Sequence, residues 1–167
     1  MPYTPGRRVL VLTHTGREDA ISAALQATRM FAEEGLVTVM LEQDVAAIRA
    51  AAGDPPEFAP EALGVDCELE DITLGLVLGG DGSVLRAADF VRGHNVPLLA
   101  VNLGHVGFLA ESERTDLHRT VQAIASESYV VIERMALDVV VLVEGREVAR
   151  TWALNEASVA VSYTHLT

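Results

Sequence analysis

Four consecutive residues, Gly79, Gly80, Asp81 and Gly82, have the types and spacing that suit phosphate chemistry. They follow the apolar run "LVL" (76–78) and precede "SVLRAA" (83–88), so a strand turns into a helix there. Glycines let the backbone approach a ligand closely or adopt a positive φ, and the free N–H groups at a helix start favour an anion. The pattern predicts a phosphate-binding loop, with Gly80 and Gly82 needed for close approach or positive φ.

Asp81 is the unusual member of this group, because phosphates repel a carboxylate unless it takes a proton or holds a metal. Both roles belong to phosphoryl transfer, in which a carboxylate orients and deprotonates the attacking hydroxyl. The alternative is that Asp81 caps a helix beginning near Ser83, which is a common use of aspartate. The spacing alone leaves both interpretations open.

A second glycine loop follows the next predicted strand, in "NLGHVGFLAE" (102–111). Asn102 can bond to backbone or to a nucleotide, and Phe108 can either stack on a base or fill a core. Ligands in open α/β sheets bind beyond the carboxyl ends of the strands. We therefore expect the two loops to form two walls of one cleft.

A polar pair, Asn155 and Glu156, lies between apolar stretches in "TWALNEASV" (151–159) and is the third candidate feature. A carboxylate and an amide together match the two hydroxyls of a ribose. On a strand the two side chains would point to opposite faces, and a polar pair on an edge strand is an equally good explanation.

The composition limits the kind of protein. The chain has 167 residues and a formal net charge of −12, which argues against nonspecific binding to nucleic acid or to an anionic membrane. All 12 lysine or arginine positions are arginine, so a Walker-type loop is excluded. The single Cys67 excludes an internal disulfide and a cysteine-based metal cluster. There is no apolar run long enough to span a membrane, and we expect a cytoplasmic protein.

The elements that must position these residues follow from the apolar pattern. Wholly apolar strands alternate with helical spacing through about residue 125, which predicts an open, mostly parallel, Rossmann-like α/β sheet with helices on both faces. The predicted strands are 9–13, 36–41, 72–78 and 96–102, and the predicted helices are 17–34, 43–52, 83–92 and 115–126.

Two segments differ from this alternation. Residues 53–64 contain three prolines and two glycines and are predicted to be a surface loop. From residue 126 to 167 the chain is β-rich, with "EGRE" (144–147) as a hairpin turn and three or four strands expected within 129–163. We interpret 1–125 as the α/β domain and 126–167 as the first strands of an incomplete β-rich domain.

Four motifs occur in a fixed order along the chain: "GGDGS", "NLGHVGFLAE", "ERMALDVVV" and "LNEASV". In this order, over about residues 72–159, they resemble the NAD kinase family, and the start "VLTHTGR" is similar to actinobacterial members. A lone "GGDG" is shared with diacylglycerol, sphingosine and phosphofructo kinases. The motif "NLGxxGFL" followed by "NE" points to NAD kinases within that superfamily.

The resemblance implies that ATP or polyphosphate phosphorylates the 2′-hydroxyl of the adenosine ribose of NAD to give NADP. It implies a divalent metal ion, Mg²⁺, accompanying ATP, no metal site on the protein, and a homo-oligomer at full length. It assigns the proton acceptor to Asp81, the phosphate boundary to Gly79, Gly80 and Gly82, the adenine contact to Phe108, and the nicotinamide-side ribose to Asn155 and Glu156.

Family members continue past the "NE" motif into a glycine- and threonine-rich loop that completes the nucleotide site. The resemblance therefore implies that this chain is an N-terminal fragment, inactive by itself, and its end "SYTHLT" (162–167) does not resemble the family. Two other interpretations stay open. One is a lipid kinase of the diacylglycerol type, with a more apolar acceptor cleft, and the other is a nucleotide-binding module without catalysis.

Overall fold

The computed structural model describes residues 6–14, 16–53, 59–103, 112–113 and 117–157. The chain divides into two compact units, Met1–Tyr129 and Val130–Thr167. The first unit is an α/β sheet and the second contains a β-hairpin.

Within the described residues of the first unit, six strands form one sheet in the order β3-β2-β1-β4-β5-β6, and every neighbouring pair is parallel. The strands are β1 (Arg8–Leu12), β2 (Val37–Leu41), β3 (Glu61–Leu63), β4 (Ile72–Leu78), β5 (Leu98–Asn102) and β6 (Ser112–Glu113). The chain moves outward from β1 to β3 in one direction and from β4 to β6 in the other. The direction of winding therefore reverses between β1 and β4.

Helices cover both faces of this sheet. They are α1 (Glu18–Glu33), α2 (Glu42–Ala52), α3 (Asp81–Phe90) and α4 (Leu117–Ala125). Buried side chains of α1, α2 and α4 share one core layer, whereas those of α3 belong to the other. Right-handed crossovers place α1 and α2 on the face opposite to α3, whereas α4 follows β6 and does not connect two strands of this sheet. The predicted α/β class is confirmed, and none of the described helices is long and apolar enough to cross a membrane.

The apolar strands explain both core layers. Along β1, Val9 and Val11 join the layer of α1, while Leu10 and Leu12 join the layer of α3. Successive strand side chains point to opposite faces, so a strand covered on both sides must be apolar throughout. The buried face of α1 is rich in alanine, which brings the helix close to the sheet. Gly35, at φ +71°, follows its end.

The structure corrects the sequence prediction at the proline-rich segment. We predicted a surface loop at 53–64, but Glu61–Leu63 is strand β3, which pairs with β2 at the sheet edge. The Arg8 Nε atom donates a hydrogen bond to the Glu61 Oε2 atom at 2.7 Å and ties β3 to β1 across β2. Residues 54–58 lie outside the described residues.

The second unit contains the predicted hairpin. Antiparallel strands β7 (Ala136–Val143) and β8 (Arg146–Leu154) flank a turn at Glu144 and Gly145. Both turn residues have positive φ, at 50° and 76°, as a two-residue turn of type I′ requires. Two strands are present in the part of this unit that the structure describes, where three or four were expected within 129–163.

Candidate active site at the glycine loop

The glycine loop lies at the carboxyl end of β4, next to the carboxyl end of β1. The two strands pair in parallel, with Leu12 opposite Val77, so their ends are neighbours at the point where the winding direction reverses. In doubly wound sheets the strand ends at such a reversal open a crevice that binds ligands. The glycine loop therefore lies where the sequence predicted it, between a strand of the sheet and the start of a helix.

Helix α3 begins two residues earlier than predicted. Gly80 is its N-cap residue, with φ −87° and ψ −170°, and Asp81 is the first helical residue. The N–H group of Ser83 donates to the Gly80 carbonyl at 2.8 Å, which closes the first turn. The alternative in which Asp81 caps a helix starting near Ser83 is therefore wrong. Asp81 instead contributes a negative charge to the first turn, where the helix dipole favours one.

The glycines of the loop do not serve positive backbone angles. Gly79, Gly80 and Gly82 all lie outside the left-handed region, so of the two reasons predicted for glycine at 80 and 82, positive φ is excluded and close approach of a ligand stays a prediction. Gly79 instead permits a close approach, because a Cβ atom there would lie 2.5 Å from the Ser83 Oγ atom. A Cβ at Gly82 would meet nothing described within 4 Å. Glycine at 79 therefore allows the close approach of Ser83, whereas a side chain at 82 would meet no described atom of the protein.

A cavity of about 400 Å³ opens beside this loop, and we call it the loop cavity. Its described lining consists of His14, Arg17, Ala20, Leu78, Gly79, Gly80, Gly82, Ser83, Arg86, Asn102 and Leu103. The structure therefore brings together the three loop glycines and Asn102, and residues 104–111 of the second loop lie outside the described residues. Asn102 is buried at the end of β5, and a Cβ on Gly80 would lie 4.0 Å from its Oδ1 atom.

Asp81 is half-buried, and its chain neighbours Gly80 and Gly82 line the loop cavity. At this point the cavity wall is formed by those neighbours rather than by the Asp81 side chain. Asp81 is therefore adjacent in the chain to two residues that line the cavity, and it lies at the N-terminus of α3.

Three nitrogen-bearing side chains that line the loop cavity were not predicted from the sequence: His14, Arg17 and Arg86. His14 and Arg17 follow β1, and Arg86 lies in the second turn of α3. They meet because β1 and β4 are neighbours in the sheet. The signal available in the sequence was the turn "HTGR" (14–17) after the first strand of an alternating α/β pattern.

The three side chains differ in how they are held. Arg17 makes two bonds to Asp19, from Nη2 at 2.7 Å and from Nε at 3.2 Å. His14 accepts a hydrogen bond at Nδ1 from the Gly16 N–H group at 3.1 Å. Arg86 is exposed, and its Nη2 atom lies 3.5 Å from the Ser83 Oγ atom, the limit of a hydrogen bond. Arg86 therefore retains most of its capacity to donate to a ligand.

A second cavity, of about 390 Å³, adjoins the first, and we call it the Phe90 cavity. Its described lining consists of Leu12, Thr13, His14, Gly16, Leu41, Gln43, Asp44, Val77, Ser83, Arg86, Ala87 and Phe90. His14, Ser83 and Arg86 line both cavities and thus form a wall common to them.

The other predicted site residues lie outside the described part of the first unit. Phe108 lies outside the described residues. Asn155 and Glu156 belong to the second unit and follow β8 instead of lying within a strand, so their predicted placement on a strand is wrong. Asn155 has φ 66° and its N–H group donates to the Met135 carbonyl at 2.8 Å. Asparagine tolerates that left-handed angle, and Glu156 is exposed.

Together, the doubly wound sheet, the glycine loop at its switch point and the cationic cavity define an α/β domain of the nucleotide-binding type. Comparison with known proteins refines this class. Residues 9–129 match the model of the ATP-NAD kinase N-terminal domain, so the chain belongs to the NAD kinase family.

Individual relatives agree with this assignment. An NAD kinase of Leifsonia xyli subsp. xyli is 47% identical over 154 residues, covering 92% of this chain and 50% of the relative. NAD kinase 2 of Streptomyces avermitilis is 45% identical over 159 residues, covering 95% of this chain and 52% of the relative. This chain spans about half the length of the curated relatives it matches. The resemblance to actinobacterial NAD kinases is confirmed.

A solved structure supports the fold independently. Yeast NADH kinase, crystallised as a complex with NADH, superposes with a TM-score of 0.70 at 19% sequence identity. The match covers 90% of this chain and 47% of the yeast chain. At that identity the likeness supports the fold alone.

Proposed function

We propose that this chain is the catalytic N-terminal part of an NAD kinase, which phosphorylates the 2′-hydroxyl of the adenosine ribose of NAD to give NADP. The observation that carries the proposal is the loop cavity, in which three glycines and a helix N-terminus face His14, Arg17 and Arg86 in a chain of net charge −12. The backbone N–H groups at the start of α3 and the exposed Arg86 guanidinium favour the phosphates of a nucleotide.

Asp81 is the proposed general base. It would accept the proton of the ribose 2′-hydroxyl as that oxygen attacks the terminal phosphorus of the donor, while the bond to the leaving phosphate breaks. Its place in the first turn of α3, flanked by cavity-lining glycines, supports this role. In the substrate complex a general base must lie within about 3 Å of the hydroxyl from which it takes the proton.

The remaining substrate contacts stay predictions. Phe108 beside the adenine of NAD, and Asn155 with Glu156 on the other ribose, follow from the family resemblance. Location in the cytoplasm, expected from the composition, and assembly into a homo-oligomer, implied by the resemblance, also stay predictions.

The proposal includes Mg²⁺ as the companion of ATP. No group of three histidine, cysteine or carboxylate side chains suited to a metal occurs among the described residues. No step is assigned to a protein-bound ion.

A chimera tests the proposal, with residues 1–157 of this chain joined to the C-terminal half of the Leifsonia xyli relative. We expect it to form NADP from NAD with ATP or polyphosphate, and we expect the 167-residue chain alone to form none. Asp81→Asn in the chimera should lower kcat by about 100-fold or more while leaving NAD affinity nearly unchanged.

Asp89→Asn is the matched control, because Asp89 is an exposed carboxylate on the same helix. It should leave kcat unchanged. Full turnover by the Asp81 variant would support a nucleotide-binding module without catalysis, and phosphorylation of diacylglycerol in place of NAD would support the lipid-kinase alternative.

A further inference from the structure

Helix α4 ends in a turn that two backbone hydrogen bonds close. The Ser128 N–H group donates to the Ala123 carbonyl at 2.9 Å, and the Glu127 N–H group donates to the Ile124 carbonyl at 3.3 Å. This pair of bonds forms a Schellman motif, in which the residue at the position of Glu127 has a left-handed backbone angle and is usually glycine. Glu127 has that angle, at φ 54°, so its side chain strains a backbone that glycine would adopt freely.

The Glu127 carboxylate is held by Arg7, which precedes β1. The Arg7 Nη1 atom lies 2.6 Å from the Glu127 Oε1 atom, and the same guanidinium donates to the carbonyls of Ile124 and Ala125. We call Arg7, Glu127 and the turn 124–128 the exit clamp. The Glu127 side chain is 62% exposed, and exposed ion pairs contribute little to stability. Stability alone therefore does not explain why glutamate rather than glycine occupies this position.

The exit clamp lies where the chain leaves the first unit. Tyr129 is the last residue of that unit and packs against its core, whereas Val130 begins the second unit and is 86% exposed. Residues 130–135 then lead to β7. Strained backbone that its surroundings hold in place is found at functional positions, and residues at the ends of elements are typical hinge positions. The clamp therefore sets the backbone direction immediately before the segment that leads to the second unit.

We infer that Arg7 and Glu127 are positioning residues, which fix the direction in which the chain leaves the first unit and so limit the orientations open to Asn155 and Glu156. The inference rests on the proposed function for the contact of these two residues with NAD, whereas the restriction of the chain itself does not. Glycine at position 127 would keep the turn but allow many more backbone angles. Only the fraction of molecules in the competent orientation would then bind NAD, and the apparent affinity would fall in proportion.

The first test uses the 167-residue chain and its single tryptophan, Trp152, which lies on β8 of the second unit. Time-resolved fluorescence anisotropy of Trp152 reports how freely that unit rotates on the nanosecond timescale. Glu127→Gly should increase the amplitude of decay that is faster than the tumbling of the whole chain. Its melting temperature should stay the same or rise, because glycine accepts the left-handed angle and the lost ion pair is exposed. Arg7→Gln should increase the same amplitude, and the double variant should not exceed the larger single effect, since both residues act through one contact.

Glu144→Gly is the matched control, because Glu144 is also a glutamate with a left-handed angle, at φ 50° in the hairpin turn. It makes the same substitution within the second unit and should leave the anisotropy decay unchanged. Three results would overturn the inference: an unchanged decay in Glu127→Gly, an equal change in Glu144→Gly, or fast decay that already dominates in the unaltered chain.

The chimera described above gives the functional measurement. Glu127→Gly should raise the KM for NAD by about threefold or more. It should leave kcat and the KM for ATP nearly unchanged, because the described lining of the loop cavity lies within the first unit. A clamp that only stabilised the end of α4 would alter the melting temperature and not the KM for NAD, so an unchanged KM would overturn the positioning role. A chimera that forms no NADP without any substitution would contradict the proposed function, while the anisotropy of the 167-residue chain would still decide whether the clamp restricts the chain.

Discussion

Gly79 and Ser83 approach so closely that a Cβ atom on Gly79 would lie 2.5 Å from the Ser83 Oγ atom and 2.8 Å from its Cβ atom. Rotation of the hydroxyl relieves the first contact, but the second involves an atom fixed by the backbone of α3. The glycine therefore sets the distance between the end of β4 and the first turn of α3. This distance shapes the loop cavity.

The first prediction follows from that contact. Gly79→Ala should lower the free energy of unfolding by about 1–3 kcal/mol, the usual range for overpacking. Urea unfolding of the 167-residue chain followed by circular dichroism measures it. The double variant Gly79→Ala/Ser83→Gly removes both contacting atoms and should recover part of the loss. A single variant as stable as the unaltered chain would show that the turn yields easily.

The second prediction separates ligand approach from backbone strain. Gly82 is exposed, has no positive φ, and a Cβ there would enter open space, so Gly82→Ala should keep the melting temperature or raise it slightly. Because Gly82 lines the loop cavity, the added methyl group should weaken tripolyphosphate binding by about tenfold. Binding and melting are measured on the same samples. An early-melting variant with normal binding would mean that the glycine serves the fold.

The sequence was sufficient to predict the sheet and its loop because Val9–Leu12 of β1 and most of β4 are apolar, and short wholly apolar runs followed by glycine favour buried strands. Strand β3 could not be predicted in the same way. It has three residues, Glu61–Leu63, in a proline-rich segment, and its identity depends on pairing with β2. Pairing is a property of the folded sheet, and no local pattern encodes it.

The residues of the candidate site likewise fall into those that a local sequence pattern reveals and those that only strand pairing brings together. The glycines and Asp81 are adjacent in the sequence, so their motif was visible. His14 and Arg86 are 72 positions apart, and only the pairing of β1 with β4 brings them to the same cavities. The placement of Asn155 was missed because its left-handed φ ends the strand, which apolar alternation does not reveal.

The third prediction concerns the end of α4. The Arg7 guanidinium donates to the carbonyls of Ile124 and Ala125 and pairs with Glu127 at 2.6 Å. Helix carbonyls at a C-terminus lack intrahelical partners, and a cation there also complements the dipole. Arg7→Gln should therefore lower the free energy of unfolding by about 1–2 kcal/mol in urea titrations.

Glu127→Gln is the comparison for this prediction. It removes the exposed ion pair and keeps the carbonyl bonds, so it should cost less than about 0.5 kcal/mol. Equal losses in the two variants would assign the effect to the ion pair instead of the helix end.

The fourth prediction uses Cys67 as a reporter of the β3 region. Burial raises the pKa of the Cys67 thiol, and its carbonyl accepts a hydrogen bond from Gly64 in the turn after β3. A raised pKa in the folded state disfavours the reactive thiolate. The buried, protonated thiol therefore contributes to the stability of the fold at low pH, and that contribution declines as the pH rises towards the folded-state pKa. At pH 8 a disulfide reagent should react slowly with the native chain and rapidly in urea. Fast native reaction would contradict the burial.

The fifth prediction concerns the two units. Every residue assigned to either core layer lies before Tyr129 or at it, so the sheet of the first unit has its own interior. By contrast, Val141, Leu142 and Val143 of the hairpin are 47%, 60% and 55% exposed, and an isolated two-stranded hairpin is marginal in water. A chain ended at Tyr129 should therefore unfold cooperatively, with a melting temperature close to that of all 167 residues.

The shortened chain should also scatter less light on heating, because the exposed apolar strand is an edge on which other copies can pair. Leu142→Lys in the 167-residue chain should reduce scattering in the same direction without changing the melting temperature of the first unit. Failure of the shortened chain to unfold cooperatively would show that the sheet needs the hairpin, and unchanged scattering in both variants would place the source of aggregation outside the strand.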